Sequence, residues 1–151
     1  MSGTCATNRK AWFRATREIC GLSQSDVADE AGVNVMSVKR WEKQGEAEPP
    51  EDVCAWLLAA RQDHDDAVDD ICREYVMWLH HDSKLQPVAL MEIYRNQRDA
   101  NLERDANDWA DMPYSYVNAI RKSAAERLRG MGITVRWRYP DEEIVGVKEI
   151  G

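Results

Sequence analysis

The chain has 151 residues, of which 27 are acidic and 20 basic, for a net charge of −7, and its mean hydropathy is −0.62. With 44% apolar and 31% charged residues it has the composition of a soluble globular protein with room for one ordinary domain or two small modules, not of a disordered or fibrous one. No run approaches the ~18 consecutive apolar residues of a membrane-spanning helix, and Met1–Lys10 contains no apolar leader core, so a cytoplasmic protein with no membrane partner is expected.

Cys5, Cys20, Cys54 and Cys72 lie far apart, with no C-x-x-C pair and no cysteine–histidine ladder. They read as small buried hydrophobes or surface thiols in a reducing compartment, and no metal or other cofactor is expected. The histidines fit this reading, because His80 and His81 end a helix and His64 stands in an acidic run. The charge is unevenly spread. Residues 1–45 carry seven basic and five acidic side chains, residues 46–86 three and eleven, and residues 87–151 ten and eleven. Within 112–139 Glu126 is the one acid among six basic residues. The acid sits in the middle, and both flanks keep a basic surface that could face an anionic partner.

Taken in chain order, the first 62 residues hold four helices. Asn8 to Ile19 places Trp12, Phe13, Ala15 and Ile19 at helical spacing and stops at Gly21. Ser23 caps a short helix over Gln24–Ala31, with Asp26 in its first turn. Gly32-Val33-Asn34 makes a tight turn into a third helix over Val35–Gln44. Pro49-Pro50-Glu51-Asp52 starts a fourth, with Val53, Trp56, Leu57 and Ala60 on one face. Val68, Ile71, Cys72, Tyr75, Val76 and Leu79 then form the stripe of an amphipathic helix whose first turns carry Asp65, Asp66, Asp69 and Asp70. Its continuity with the preceding helix is open.

After Pro87 the pattern changes. Val88–Arg95 is apolar on both alternating sets and fits a buried strand or the start of a helix. Asn96–Asp111 reads as a loop. Asp111-Met112-Pro113 opens a helix with the inner stripe Tyr116, Val117, Ile120, Ala124 and Leu128, ended by Gly130 and Gly132. Ile133 to Tyr139 alternates strictly, with Ile133, Val135, Trp137 and Tyr139 inward and Thr134, Arg136 and Arg138 outward. The acidic Pro140–Gly151 segment reads as frayed. The two strands could pair in parallel through the intervening helix.

Residues 24–43 meet the demands of a helix-turn-helix. Ala28 supplies the small residue where two helices cross steeply, and Gly32 the turn residue that tolerates positive φ. Val27, Ala31, Val33, Val38 and Trp41 fall on the inner faces, and Asn34 can cap the second helix. These residues, with the lead-in Arg14-x-x-Arg17-x-x-x-Gly21-Leu22-Ser23-Gln24 and the terminal Trp41-Glu42-Lys43, resemble the Cro/C1-type repressor helix-turn-helix family over about residues 8–62. Gly45 departs from the pattern by arriving one residue late. The segments Ile93-Tyr94-Arg95, Pro113-Tyr-Ser-Tyr116 and Gly132-Ile-Thr-Val-Arg136 resemble in outline the tails of phage and bacterial regulators that include anti-CRISPR-associated autorepressors, whose tail makes the dimer.

The resemblance implies a mainly α fold: an N-terminal helix-turn-helix bundle of four to five helices over 1–62, an acidic connecting helix over 63–86, and a small β-α-β dimerisation unit over 87–151. It further implies a DNA-binding transcriptional regulator, a repressor working as a homodimer through residues 88–139 on a pseudo-palindromic operator. The helix from Val35 would enter the major groove of double-stranded DNA with Asn34, Met36, Ser37 and Arg40 toward base edges. Gln24 would hold a phosphate, and Lys39, Lys43, Arg14 and Arg17 are candidates for neutralising the backbone. For Arg14 and Arg17 a solvated face or an ion pair with Glu18 or Glu42 is an equal alternative. An antitoxin, with the same head and a tail that binds a toxin, is the alternative function. An enzyme is not expected, since there is no phosphate-cradling glycine loop, metal triad or nucleophile–base set.

Overall fold

The computed structural model describes residues 9–81, 87–102 and 111–142. The protein is mainly helical with one small two-stranded parallel sheet. Its order is α1 (Arg9–Ile19), α2 (Gln24–Ala31), α3 (Val35–Trp41), α4 (Glu51–His81), β1 (Val88–Glu92), α5 (Gln97–Asn101), α6 (Tyr114–Gly130) and β2 (Thr134–Arg138). The chain divides into two compact units, Met1–His64 and Asp65–Gly151. The boundary falls inside α4, which runs unbroken through both segments that the sequence reads as separate helices. None of the helices among the described residues is long and apolar enough to cross a membrane.

In the first unit, the core is built from Phe13, Cys20, Leu22, Val27, Ala28, Val38, Trp41, Val53, Cys54 and Leu57. Phe13 meets Trp41 edge to face, with ring centroids 6.0 Å apart. The inner stripe of α1 differs from expectation. It is Phe13, Thr16 and Arg17 that are buried, whereas Trp12 is half-buried and Ala15 and Ile19 are exposed. The reason is polar: Arg17 is drawn inward by a carboxylate described below, and this turns α1 about its axis relative to a purely apolar reading. Ser23 and Asp26 form a reciprocal capping box at the start of α2, satisfying donors that a helix start leaves open. Gly32 ends it with φ 67°, its N–H donating to Ala28 O and Asp29 O. An added Cβ at Gly32 would touch nothing within 4 Å, so the demand for glycine comes from the left-handed backbone and not from crowding. Val33 is exposed and Ala31 only half-buried, because both lie where the turn swings away from the core. The third helix is shorter than expected, ending at Trp41 with Glu42 as its cap.

In the second unit, β1 and β2 pair in parallel, Val88 opposite Thr134 through Glu92 opposite Arg138. The open question over Val88–Arg95 resolves as a strand. Helix α6 packs on the sheet and buries Tyr116, Val117, Ile120, Ala124 and Leu128, the stripe that the spacing predicts. Asn118 joins them for a polar reason: its amide donates to Tyr94 O at 2.8 Å and accepts from Tyr94 N–H at 2.9 Å. It extends the hydrogen bonding of the sheet beyond the end of β1. Part of the expected loop is the short helix α5, started by Asn96, whose side chain accepts from Asp99 N–H at 3.0 Å. Residues 103–110 of that loop lie outside the described residues, as does most of the expected frayed C-terminal segment (143–151). Ile133 is buried and Val135 half-buried, but Trp137 and Tyr139 are 37% and 38% exposed. The expected inward face of β2 is thus only partly covered, because β2 is an edge strand with no neighbouring strand beyond it among the described residues.

Arg95 binds Asp99 through Nε at 2.8 Å and Nη2 at 3.0 Å, and its backbone N–H donates to the same carboxylate at 2.8 Å. The guanidinium also reaches Asp141 at 3.0 Å and lies 4.6 Å over the Tyr139 ring. Of these contacts, the Arg95 side chain and then its N–H hold the Asp99 carboxyl below its ordinary range, against the effect of desolvation. A carboxyl depressed in the folded state stabilises fully above its unfolded value of about 4 and loses that contribution as pH falls through the lower folded value. Carboxyl NMR titration should find Asp99 still ionised where an ordinary aspartate protonates, and Arg95→Gln should return it toward the ordinary value. In the first unit, Ala28→Leu should cost about 1–3 kcal/mol by overpacking a buried crossing. Gly32→Val should cost about 1–2 kcal/mol through left-handed backbone strain. Both are read by chemical denaturation.

Candidate nucleic-acid interface

The site is the exposed side of the α2–turn–α3 segment, and it is assembled from four kinds of residue. The first is the cap. Asn34 is extended (φ −72°, ψ 145°), and its side-chain oxygen accepts from Met36 N–H at 2.8 Å. Asn34 is exposed at the very start of α3, with its amide N–H groups not used by the cap. The second is the outward surface of α3. Met36 is 49% exposed, Lys39 and Arg40 are exposed, and Ser37 is half-buried beside them. Lys43, just beyond the helix, is exposed as well. Val38 and Trp41 point the other way, into the core.

The pairing of charges sets this surface apart from most of the chain's arginines. Arg9, Arg14, Arg73, Arg95, Arg127, Arg129 and Arg138 each sit against a carboxylate. The side chains of Lys39, Arg40 and Lys43 have no ion-pair or hydrogen-bond partner among the described residues. Three cations and an exposed thioether thus lie within the eight residues from Met36 to Lys43, and no carboxylate among the described residues pairs with them.

The third kind is a buried ion pair beneath the surface. Arg17 Nε and Nη2 donate to Glu42 Oε2 and Oε1 at 2.7 and 2.9 Å, and Nη1 donates to Leu22 O at 2.9 Å. The two side chains are 10% and 4% exposed. Arg17 is therefore withdrawn from any backbone-neutralising role, and of the two readings open in the sequence the ion pair is the one realised. It is a bidentate clamp joining α1 to the end of α3. Gln24 Nε2 donates to the same carboxylate at 3.2 Å, which fixes the Gln24 side chain at the start of α2. Arg14 remains on the surface, 3.5 Å from Glu18, in an exposed pair that contributes little and opens easily.

The fourth is Lys10, which the sequence gives no reason to single out. Its ammonium donates to Arg40 O at 3.1 Å, Trp41 O at 3.3 Å and Ala47 O at 2.6 Å. Three carbonyls at the end of α3 and in the following segment thus share one ammonium, which has three N–H groups to give. Arg9 Nη1 adds a bond to Pro49 O at 3.1 Å. Partners 30 or more positions away in sequence leave no local signal, so only the folded chain reveals this pair of anchors.

Comparison of the chain with protein-family models, with curated proteins and with solved structures returns no match. The physical reading of this surface stands on the geometry alone. A buried charge that loses its partner is left uncompensated, so Arg17→Ala should destabilise by about 3–5 kcal/mol. The paired replacement Arg17→Met with Glu42→Leu should recover most of that loss. Urea denaturation of the three proteins measures both effects.

Proposed function

We propose that the protein is a sequence-specific DNA-binding regulator, with α2 and α3 forming a helix-turn-helix and α3 entering the major groove. The observation that carries this reading is the run of unpaired cations on a solvent-facing helix whose opposite side is locked into a core. A protein with net charge −7 pairs eight of its described arginines with its own carboxylates; the side chains left free together at Lys39, Arg40 and Lys43 are available to an anion. The seven-residue length of α3 suits a short element read from its N-terminal end. Arg40 can hold guanine through two hydrogen bonds, Asn34 and Ser37 can donate to base edges, and Met36 can meet a thymine methyl. Gln24, oriented by Glu42, and the amides at the start of α2 are placed for a phosphate, with Lys39, Lys43 and Arg14 along the backbone track.

One such head buries little DNA, and a single module binds weakly. The regulator therefore acts as a homodimer through the second unit, residues 88–139, on a pseudo-palindromic site whose half-sites lie about one helical turn apart. It blocks or reorganises transcription by occupying that site.

Selection of bound sequences from a random duplex pool supplies the operator. Against that operator, Arg40→Ala should lower affinity by about 1–3 kcal/mol and relax preference at one base pair. Lys39→Ala and Lys43→Ala should weaken operator and random DNA alike, each making the salt slope shallower by about one. Unchanged operator binding by a folded Arg40→Ala protein would remove α3 from the interface.

A further inference from the structure

The backbone groups of β2 can be assigned to its two edges one residue at a time. Thr134 N–H donates to Pro87 O at 2.8 Å, and Arg138 O accepts from Ile93 N–H at 3.0 Å. The even-numbered residues of β2 thus turn their backbone groups toward β1, and by the alternation of a strand the odd-numbered ones turn theirs to the open edge. The two ends of that outward row are occupied. Ile133 N–H donates to Leu128 O at 3.0 Å, closing the turn after α6. Tyr139 O accepts from Glu142 N–H at 3.0 Å, and Tyr139 N–H donates to Glu142 Oε1 at 2.8 Å. Between these ends, Val135 and Trp137 keep N–H and C=O groups with no partner among the described residues.

The far edge of β1 is treated differently. There Leu90 O accepts from the Tyr75 hydroxyl, and Glu92 O accepts from Arg121 Nη1 at 3.3 Å. Two carbonyls of that edge are thus taken by side chains of the same unit. The edge of β2 is left open beside a tryptophan and a tyrosine that are 37% and 38% exposed.

We propose that this edge pairs with the same edge of a second copy of the chain, β2 against β2 antiparallel about a two-fold axis at Arg136, to make a four-stranded sheet. The inference rests on the homodimer of the reading above and supplies its surface. A row of donors and acceptors with two open residues placed symmetrically about a third is self-complementary under a two-fold, as an isologous interface requires. The hydrogen-bond inventory also selects the register. With the axis at Arg136, Val135 faces the partner's Trp137 and Trp137 the partner's Val135, and every open backbone group of the two residues is used. With the axis at Val135, Trp137 would face the partner's Ile133, whose N–H is already donated. With the axis at Trp137, Val135 would face the partner's Tyr139, both of whose backbone groups are taken.

The side chains agree on one face and oppose on the other. Val135 and Trp137 share the face of their β1 partners Ala89 and Met91, which are buried. Pairing sets the exposed Trp137 ring beside the partner's Val135, an aromatic contact with a β-branched side chain that favours strand association. On the opposite face, Arg136 lies across the axis from the partner's Arg136. Arg138 beside it is neutralised by Glu92 at 3.0 Å, but Arg136 has no partner among the described residues. Like charges directly opposite weaken the pairing, and salt screens them. The dimer should therefore tighten, not loosen, as ionic strength rises.

The test uses the full-length chain throughout. Sedimentation should find a dimer at micromolar concentration, with affinity rising with salt, and Arg136→Thr should tighten it and flatten that salt dependence. Arg136→Cys, Val135→Cys and Trp137→Cys, each made singly, report the register, because residues facing their own copy across a two-fold come within disulfide reach. On mild oxidation, Arg136→Cys should yield about tenfold more covalent dimer than either neighbour, with the unsubstituted protein as control for the native cysteines. Val135→Pro removes an N–H that no internal bond uses, and edge positions of this kind accept proline. It should keep the circular dichroism of the native protein and weaken dimerisation at least about tenfold. Where it does not fold, the cross-linking pattern decides.

A full-length monomer overturns the proposal and hands the edge to another occupant. Cross-linking that favours Val135→Cys or Trp137→Cys, or that occurs in none of the three, overturns the register. A folded Val135→Pro protein that dimerises normally overturns the edge while leaving a two-headed regulator intact. Loss of operator binding in a protein that still cross-links through Arg136→Cys has the opposite meaning, retaining the dimer surface and removing the DNA reading.

Discussion

Short elements have more ends than middles, and an end is where backbone donors and acceptors go unpaired. Four of the helices have 11, 8, 7 and 5 residues and both strands have 5, so the protein depends on side chains to complete its backbone hydrogen bonding. Ser23 and Asp26 do this for α2, Asn34 for the start of α3, Lys10 for its end, and Asn96 for α5. Asn118 does the same for the strand end at Tyr94. Each contributes about 1 kcal/mol net where it is made. Leaving a buried group unmade costs more than making it gains, which is why long side chains cross from one element to another to reach carbonyls.

That economy shapes the head. A helix of seven residues is unstable by itself, since nucleation costs more than so few bonds return. It is held by Val38 and Trp41 in the core, by its two caps, and by Glu42 clamped to Arg17. The carboxylate at Glu42 does double work, pairing Arg17 and aligning Gln24. Because these constraints all act on the inner side and the ends, the outer side is released from structural duty. Met36, Lys39 and Arg40 can then be chosen for what they touch outside the protein.

The sequence carried some of this and not the rest, for reasons that differ by residue. The Ala28–Gly32 spacing, the caps at Ser23 and Asn34 and the α6 stripe were legible because each is a local signal, set by backbone φ or by helical period. The parallel pairing was legible in outline because a helix stands between the strands. The direction in which Arg17 turns was not decidable from spacing, since an arginine three residues from Arg14 on the same helix could face either way. It took Glu42, 25 positions on, to choose. Lys10 and Asn118 were invisible for the same reason: their partners lie 24 to 37 positions away. Trp137 and Tyr139 are less covered than their alternation suggests for the converse reason. Alternation tells which face a side chain is on, not whether anything lies beyond the edge to cover it.

A two-stranded sheet is marginal by itself, and this one stays together because α6 covers one face and because Tyr75 and Arg121 occupy the β1 edge. An open edge is a hazard that proteins ordinarily blunt with charge, proline or a bulge. Here the blunting is partial: Pro140 stands one residue past Tyr139 and Arg136 stands in the middle of the edge. Arg136 lies on the face away from α6, where it discourages stacking of strands in an arbitrary register without disturbing the packed side. The open backbone groups flank it symmetrically, so the charge is opposed only by its own copy and only in one register. A residue that guards the edge against unrelated strands is thus placed where a two-fold partner tolerates it best, with salt screening the one unfavourable contact that such a pairing makes.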